Sequence, residues 1–184
     1  MQIEVTWIFA YGSLIYRPGF AAAEVVVAEL EGHGRRFWQG SPDHRGTPQA
    51  PGRVVTLVPA PGESVRGLAY RLPADSARQI LVELDERERA GFERTEVELV
   101  VEGGRLAATT YVAASGNPHF LGPAPLEIVA GEIAQRHGPS GSNVDYLRRL
   151  AHALRAIGTD SDHVFEVERE LDALAVQGPP DSTT

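Results

Sequence analysis

The 184-residue sequence predicts an α+β fold, a sheet closed on itself with helices on one side, and three observations carry that expectation. Six β-like runs occupy the first 113 residues, one helical pattern sits between the fourth and fifth of them, and three further helical patterns fill the last third.

Residues 4 to 9 (E-V-T-W-I-F) open the chain as a strand rich in β-branched and aromatic residues, and the run stops on Tyr11-Gly12-Ser13-Leu14. A buried strand ordinarily stays apolar to its end or turns on Asn, Asp or Pro. Here one flexible residue is bracketed by two hydroxyl side chains, so the turn is read as one that holds something. Residues 24 to 31, 53 to 58 and 65 to 72 supply the next strands, and 41 to 53 (S-P-D-H-R-G-T-P-Q-A-P-G-R) is a loop by its Pro and Gly content. A helix over 75 to 90 follows with Asp75 as its N-cap, then strands at 95 to 102 and 106 to 113. Helices are predicted at 125 to 137, 143 to 157 and 162 to 176. The last two carry apolar stripes at Leu147, Leu150, Leu154, Ile157 and at Val164, Val167, Leu171, Leu174, each spaced three, four, three. Residues 1–176 read as a single domain and 177–184 as a polar, disordered tail.

Composition narrows the function. A formal net charge of -8 argues against a nucleic-acid or anionic-membrane partner, because phosphates demand a basic face. There is no cysteine and no lysine, all 17 basic residues being arginine, which excludes a thiol nucleophile, a thiolate metal site, a Schiff base and a Walker-type phosphate loop. No run approaches the roughly 20 apolar residues a membrane span needs, and no leader is apparent, so a cytoplasmic location is expected.

The helix over 75 to 90 presents Ala77, Ile80, Leu81 and Leu84 as its apolar face. At 100° per residue Glu88 lies within about 40° of Leu84, on that same face, whereas Glu83, Asp85 and Glu86 point away. It also sits in the last turn before Gly91, where unpaired carbonyls make the local potential negative. Burial and a helix C-terminus both disfavour an ionised carboxylate, so a raised pKa is expected, as a general base or acid working near neutrality needs. The alternative is that the stripe ends at Leu84 and Glu88 is a solvated residue paired with Arg87 or Arg89; periodicity leaves both open.

Other signals are weaker. None of the six histidines falls in a metal-ligand spacing, and no metal or cofactor is assigned. Ser13 lacks the second glycine of a nucleophile elbow. G-P-S-G-S-N (138 to 143) reads either as an anion-binding loop or as a loop ending in Ser142, the N-cap of the next helix. Arg35-Arg36-Phe37-Trp38 is either a stacking platform or a solvated pair over core aromatics, and the acidic total favours the second.

Taken together and in order, Y-G-S-L-I (11 to 15), R-R-F-W-Q-G-S-P-D-H-R-G-T-P (35 to 48), P-G-R-V-V-T-L (51 to 57), G-L-A-Y-R-L (67 to 72), D-E-R-E-R-A-G-F (85 to 92), N-P-H-F-L-G-P-A-P-L-E (117 to 127) and G-P-S-G-S-N-V-D-Y-L (138 to 147) resemble the ChaC-like, glutathione-specific γ-glutamylcyclotransferases. The resemblance implies a small mixed β-barrel with flanking helices and conversion of glutathione, the small-molecule partner, to 5-oxoproline and cysteinylglycine. It implies that Tyr11, Gly12, Ser13 and Leu14 hold the γ-glutamyl head. The family's catalytic glutamate, in its R-E-K-x-G-Y motif, falls on Glu88, and Tyr146 is a further substrate contact. For the glycine-end carboxylate Arg35, Arg36, Arg45 and Arg53 are candidates, with Arg45 carried as the substrate-binding choice. Tyr16 stands where the family has tryptophan, Arg89 where it has lysine, Ala90 where it has glycine and Phe92 where it has tyrosine, which bears on substrate preference more than on chemistry. A monomer without cofactor is expected. A cyclotransferase for other γ-glutamyl amino acids or amines, and a non-catalytic binder of small carboxylates on the same fold, are the competing readings.

Overall fold

β-branched and aromatic residues alternating with polar ones build the strands, and in the computed structural model, which describes residues 6–177, five of these strands close into a barrel. In chain order they are β1 (Trp7–Ala10), β2 (Glu24–Ser41), β3 (Gly52–Arg71), β4 (Phe92–Val101) and β5 (Gly104–Ala113). Around the barrel the order is β1-β3-β2-β4-β5. Neighbours pair antiparallel, except that β1 closes on β5 in parallel through Ile8 and Thr109, so the barrel is mixed, as expected.

The strands differ from the sequence expectation in length. The runs at 53 to 58 and 65 to 72 are one strand, β3, and the run at 24 to 31 continues to Ser41, carrying Arg35 through Trp38 inside β2. The Pro59-Pro61-Gly62 break is real but local. Register passes from Glu31 opposite Ser64 to His33 opposite Pro59, so residues 60 to 63 loop out of the ladder while the strand resumes on the same partner. Glu4 and Val5 of the predicted first strand lie outside the described residues, as do residues 178–184 of the predicted tail.

The helices are α1 (Ala77–Arg87), α2 (Leu126–Gln135), α3 (Asn143–Ala156) and α4 (His163–Gln177). Helix α1 is shorter than predicted at both ends: Ser76, not Asp75, holds the N-cap position, and Glu88 is the C-cap. His137, expected to end α2, instead pairs with Ser142 in a two-residue ladder, β6 (His137–Gly138) against β7 (Gly141–Ser142). The predicted stripes are core. Leu147, Leu150, Leu154, Val164, Val167 and Leu171 are buried, and Ile157 and Leu174 pack against them from partly buried positions. No helix among the described residues is long and apolar enough to cross a membrane.

Ser142 caps α3, its hydroxyl accepting the Asp145 N–H at 3.0 Å, which decides the second reading of G-P-S-G-S-N. The next residue ties that helix to the barrel. Asn143 is wholly buried; its Oδ1 accepts the Arg53 N–H at 2.6 Å and its Nδ2 donates to the Arg53 carbonyl at 2.8 Å. Two main-chain groups of β3 thus depend on one side-chain amide, and each left unmet in the interior costs about 1–3 kcal/mol. Asn143→Ala is therefore expected to destabilise the protein by about 2–4 kcal/mol, read from the urea midpoint at unchanged slope.

Candidate active site

The end of β1 passes into a 3-10 turn over Ser13–Ile15, closed by Ile15 N–H donating to the Gly12 carbonyl at 3.0 Å. Ser13 and Leu14 open that turn, so their N–H groups have no partner within it. Helix α1, which crosses from β3 to β4, brings its last turn against this segment. Between them lies a cavity of about 440 Å³, within the range of small-ligand sites. Every site residue predicted from the sequence lines it: Tyr11, Gly12, Ser13, Leu14, Arg45, Glu88 and Tyr146.

Glu88 reaches the cavity because its N–H still closes the helix, donating to the Leu84 carbonyl at 2.9 Å, while the chain reverses immediately beyond it at Gly91, φ +88°. Buried Gln39 braces this reversal, its Nε2 donating to the Ala90 carbonyl at 2.9 Å and pairing with the Asn117 side chain. The Glu88 side chain is 18% exposed. Burial pushes its pKa above the ordinary carboxylate range; the Arg87 guanidinium, with Nε 3.5 Å from Oε1, pulls it down, and the Asp43 carboxylate across the cavity pushes it up. The solvated alternative for Glu88 does not describe this side chain. Its contact with Arg87 is real, yet burial outweighs it.

Tyr146, from α3, is buried, with its ring edge-on to Phe37 and Tyr16 at centroid distances of 6.1 and 6.5 Å. Its hydroxyl accepts the Val55 N–H at 3.3 Å and retains its own proton for another acceptor. The Tyr11 hydroxyl already donates to the Tyr111 carbonyl at 2.6 Å, so toward a ligand it offers lone pairs and its ring. Burial, reinforced at Tyr11 by the Glu88 charge, raises the pKa of both phenols and keeps them protonated near neutrality.

The arginines divide clearly. Arg35 lies inside the protein, donating to Asp162 and, at 2.5 Å, to the Arg66 carbonyl. Arg36 holds Glu63, and Arg53 holds Glu132 and the Phe37 carbonyl. Arg45 alone of the four lines the cavity, its guanidinium carbon 5.5 Å from the Tyr146 ring centre and Nη1 3.1 Å from the Ser142 carbonyl. Neither a stacking platform nor a solvated pair describes Arg35-Arg36: the first is internal, the second an ion pair at the surface.

Sequence reasoning missed Arg17, Asp43, Tyr16 and Arg87 as cavity residues. Arg17 and Tyr16 follow the Y-G-S-L-I turn so closely that adjacency was a usable signal. Asp43 lies in a long loop and Arg87 read as a surface partner of Glu88, so neither offered one.

Comparisons with known proteins identify the family. The ChaC-like protein family matches residues 6–174. The chain belongs to the ChaC-like family. The human glutathione-specific gamma-glutamylcyclotransferase 1 is 40% identical over 183 residues, covering 96% of this chain and 81% of that protein. Gamma-glutamylcyclotransferase 2-3 of Arabidopsis thaliana is 37% identical over 174 residues, covering 90% of this chain and 87% of its own. Among solved structures, that of the selenomethionine-labelled γ-glutamyl cyclotransferase specific to glutathione from yeast superimposes with a TM-score of 0.86 at 30% identity, over 92% of this chain and 96% of that one.

In this ChaC-like chain a Cβ at Gly12 would stand 3.2 Å from Val55 Cγ2 and 3.4 Å from the Tyr146 hydroxyl. Gly12→Val is expected to abolish ligand binding by calorimetry while unfolding remains cooperative; unchanged affinity would contradict the placement of the turn. A second expectation follows from linkage. Glu88 holds its proton to higher pH in the fold than in the unfolded chain, so its ionisation costs stability as pH rises through the folded pKa and costs nothing below the unfolded one. Glu88→Gln should therefore raise the unfolding midpoint at about pH 8, by roughly 2–4 °C for each kcal/mol relieved, with the gain vanishing near pH 4.

Proposed function

We infer that the protein is a glutathione-specific γ-glutamylcyclotransferase, releasing 5-oxoproline and cysteinylglycine. One observation carries the reading beyond family membership: a mostly buried carboxylate, Glu88, lines the same cavity as a turn whose leading N–H groups have no partner within the turn.

The chemistry suits a chain without cysteine or lysine, because the substrate brings its own nucleophile. The α-amine of the γ-glutamyl group attacks the γ-carbonyl, a five-membered ring closes, and the amide nitrogen of the cysteinyl part departs. Free in water that amine has a pKa of about 8 or above and is mostly protonated near neutrality. Glu88 takes one proton from the ammonium, which a raised pKa equips it to do, and passes it to the departing nitrogen. The second proton, shed as the ring nitrogen becomes the lactam N–H, follows the same route to the released amine, so the carboxylate is regenerated and the two protons one nitrogen loses are the two the other gains. The N–H groups of Ser13 and Leu14 and the Tyr146 hydroxyl supply donors for the α-carboxylate and for the oxyanion that develops on the γ-carbonyl. Folding the glutamyl chain so that amine and carbonyl meet is the larger contribution, well-oriented intramolecular attack being worth about 7–11 kcal/mol. Arg45, which lines the cavity beside Asp145, keeps its predicted role at the glycine-end carboxylate, and Arg17 joins it as a second candidate.

Incubation with glutathione is expected to release cysteinylglycine and 5-oxoproline without glutamate. Glu88→Gln should keep the fold and lower turnover by about 10²–10⁴-fold. Free glutamate as the product, or near-normal turnover in the variant, would contradict the reading.

A further inference from the structure

The cavity wall between the binding turn and Glu88 is bridged by one side chain to which neither family membership nor the cyclisation scheme gives a part. Arg87 is the last residue of α1, and three hydrogen bonds and one ion pair radiate from its planar fork. Nη1 donates to the Arg17 carbonyl at 2.9 Å and the Pro18 carbonyl at 3.2 Å; Nη2 donates to the Ser13 hydroxyl at 3.1 Å; Nε lies 3.5 Å from Glu88 Oε1. Gly19, at φ +82°, turns the chain beside the guanidinium. A single cation thus touches three residues of the segment after β1 and the carboxylate on the opposite wall.

We propose that Arg87 is a positioning residue of the cyclisation: its guanidinium fastens the glutamyl-binding turn to the end of α1 and carries positive charge beside the Glu88 carboxylate. Base and binding turn, 75 residues apart in the chain by their numbers, 88 and 13, are held as one rigid unit. The proposal rests on the cyclotransferase reading. A lysine could keep the charge but not the fork, since three directed hydrogen bonds at fixed angles beside an ion pair are what a guanidinium supplies and an ammonium does not.

The charges around Glu88 give that division a readable consequence. Arg87 faces it from its own helix, Asp43 from the loop after β2, Tyr11 from the end of β1 and Tyr146 from α3, with Arg17, His44, Arg45 and Glu83 completing the titratable and charged lining of the cavity together with Tyr16 and Tyr111. The phenols stay neutral and Asp43 opposes ionisation of Glu88, so Arg87 is the neighbour that favours the ionised base. The base acts ionised. Removing the charge therefore moves the acidic limb of the rate profile to higher pH.

The test compares Arg87→Gln and Arg87→Lys with wild type in glutathione turnover across pH, with thermal unfolding as the check on folding. Arg87→Gln is expected to lower kcat by about ten- to a hundredfold and to displace the acidic limb upward. Arg87→Lys is expected to leave the limb in place while kcat still falls and KM for glutathione rises, because the turn is no longer clamped. An acidic limb unmoved in Arg87→Gln, or the same loss with the same profile in both variants, would reduce Arg87 to a structural contact and overturn the proposal. Wild-type protein that releases no cysteinylglycine would instead overturn the cyclotransferase reading, and the proposal with it.

Discussion

A carboxylate kept from water at the end of a helix is the constraint on which the site depends. Helix carbonyls, burial and the neighbouring Asp43 all oppose its ionisation, and the one cation beside it is committed to three other acceptors. A folded chain gains no stability from such a group. It persists because the surrounding framework holds it: Leu84 and Ile80 anchor α1 in the core, while Gln39 and Asn117 fix the reversal that follows. On the proposed reading, the same half-satisfied acid is the base matched to an amine near neutrality.

Barrel closure converts that local feature into a site. β1 is gripped on one side by β3 and on the other by β5, so the turn at its end can lend main-chain donors to a ligand without the strand unravelling. Helix α3 presents Tyr146 to the same space because Asn143 locks its first turn to β3, and the loop after β2 adds Arg45 and Asp43. These elements meet from separate parts of the sequence, and none needs to be a nucleophile. Orientation and proton transfer are the whole task when the substrate cyclises on itself.

Much of this was legible in the sequence, for reasons particular to each element. The stripes of α3 and α4 were readable because a helix packed on one side must repeat its apolar residues at helical spacing, and Glu88 because it broke that rule on the buried face. Strand continuity was not. The Pro59-Pro61-Gly62 run looks like a boundary, yet only residues 60 to 63 bulge out of a ladder that the long partner β2 re-forms on the far side, a tertiary effect no local pattern encodes. The arginines were equally opaque. Arg35, Arg36, Arg45 and Arg53 resemble one another along the chain, each pairs with a carboxylate in the fold, and only the position of Arg45, beside Asp145 at 3.5 Å on the cavity wall, sets it apart from the three held by Asp162, Glu63 and Glu132. Arg87 posed the same problem in reverse: its four contacts lie up to 74 residues away, where adjacency to Glu88 suggested a simple surface pair.

The central claim, that Glu88 is desolvated and proton-holding, is tested most directly by following side-chain carboxyl resonances of protein carrying ¹³C-labelled glutamate as pH is raised. One resonance, absent in Glu88→Gln, is predicted to titrate clearly above the ordinary glutamate range of about 4.3. Its titration within that range, together with the other glutamates, would contradict the account.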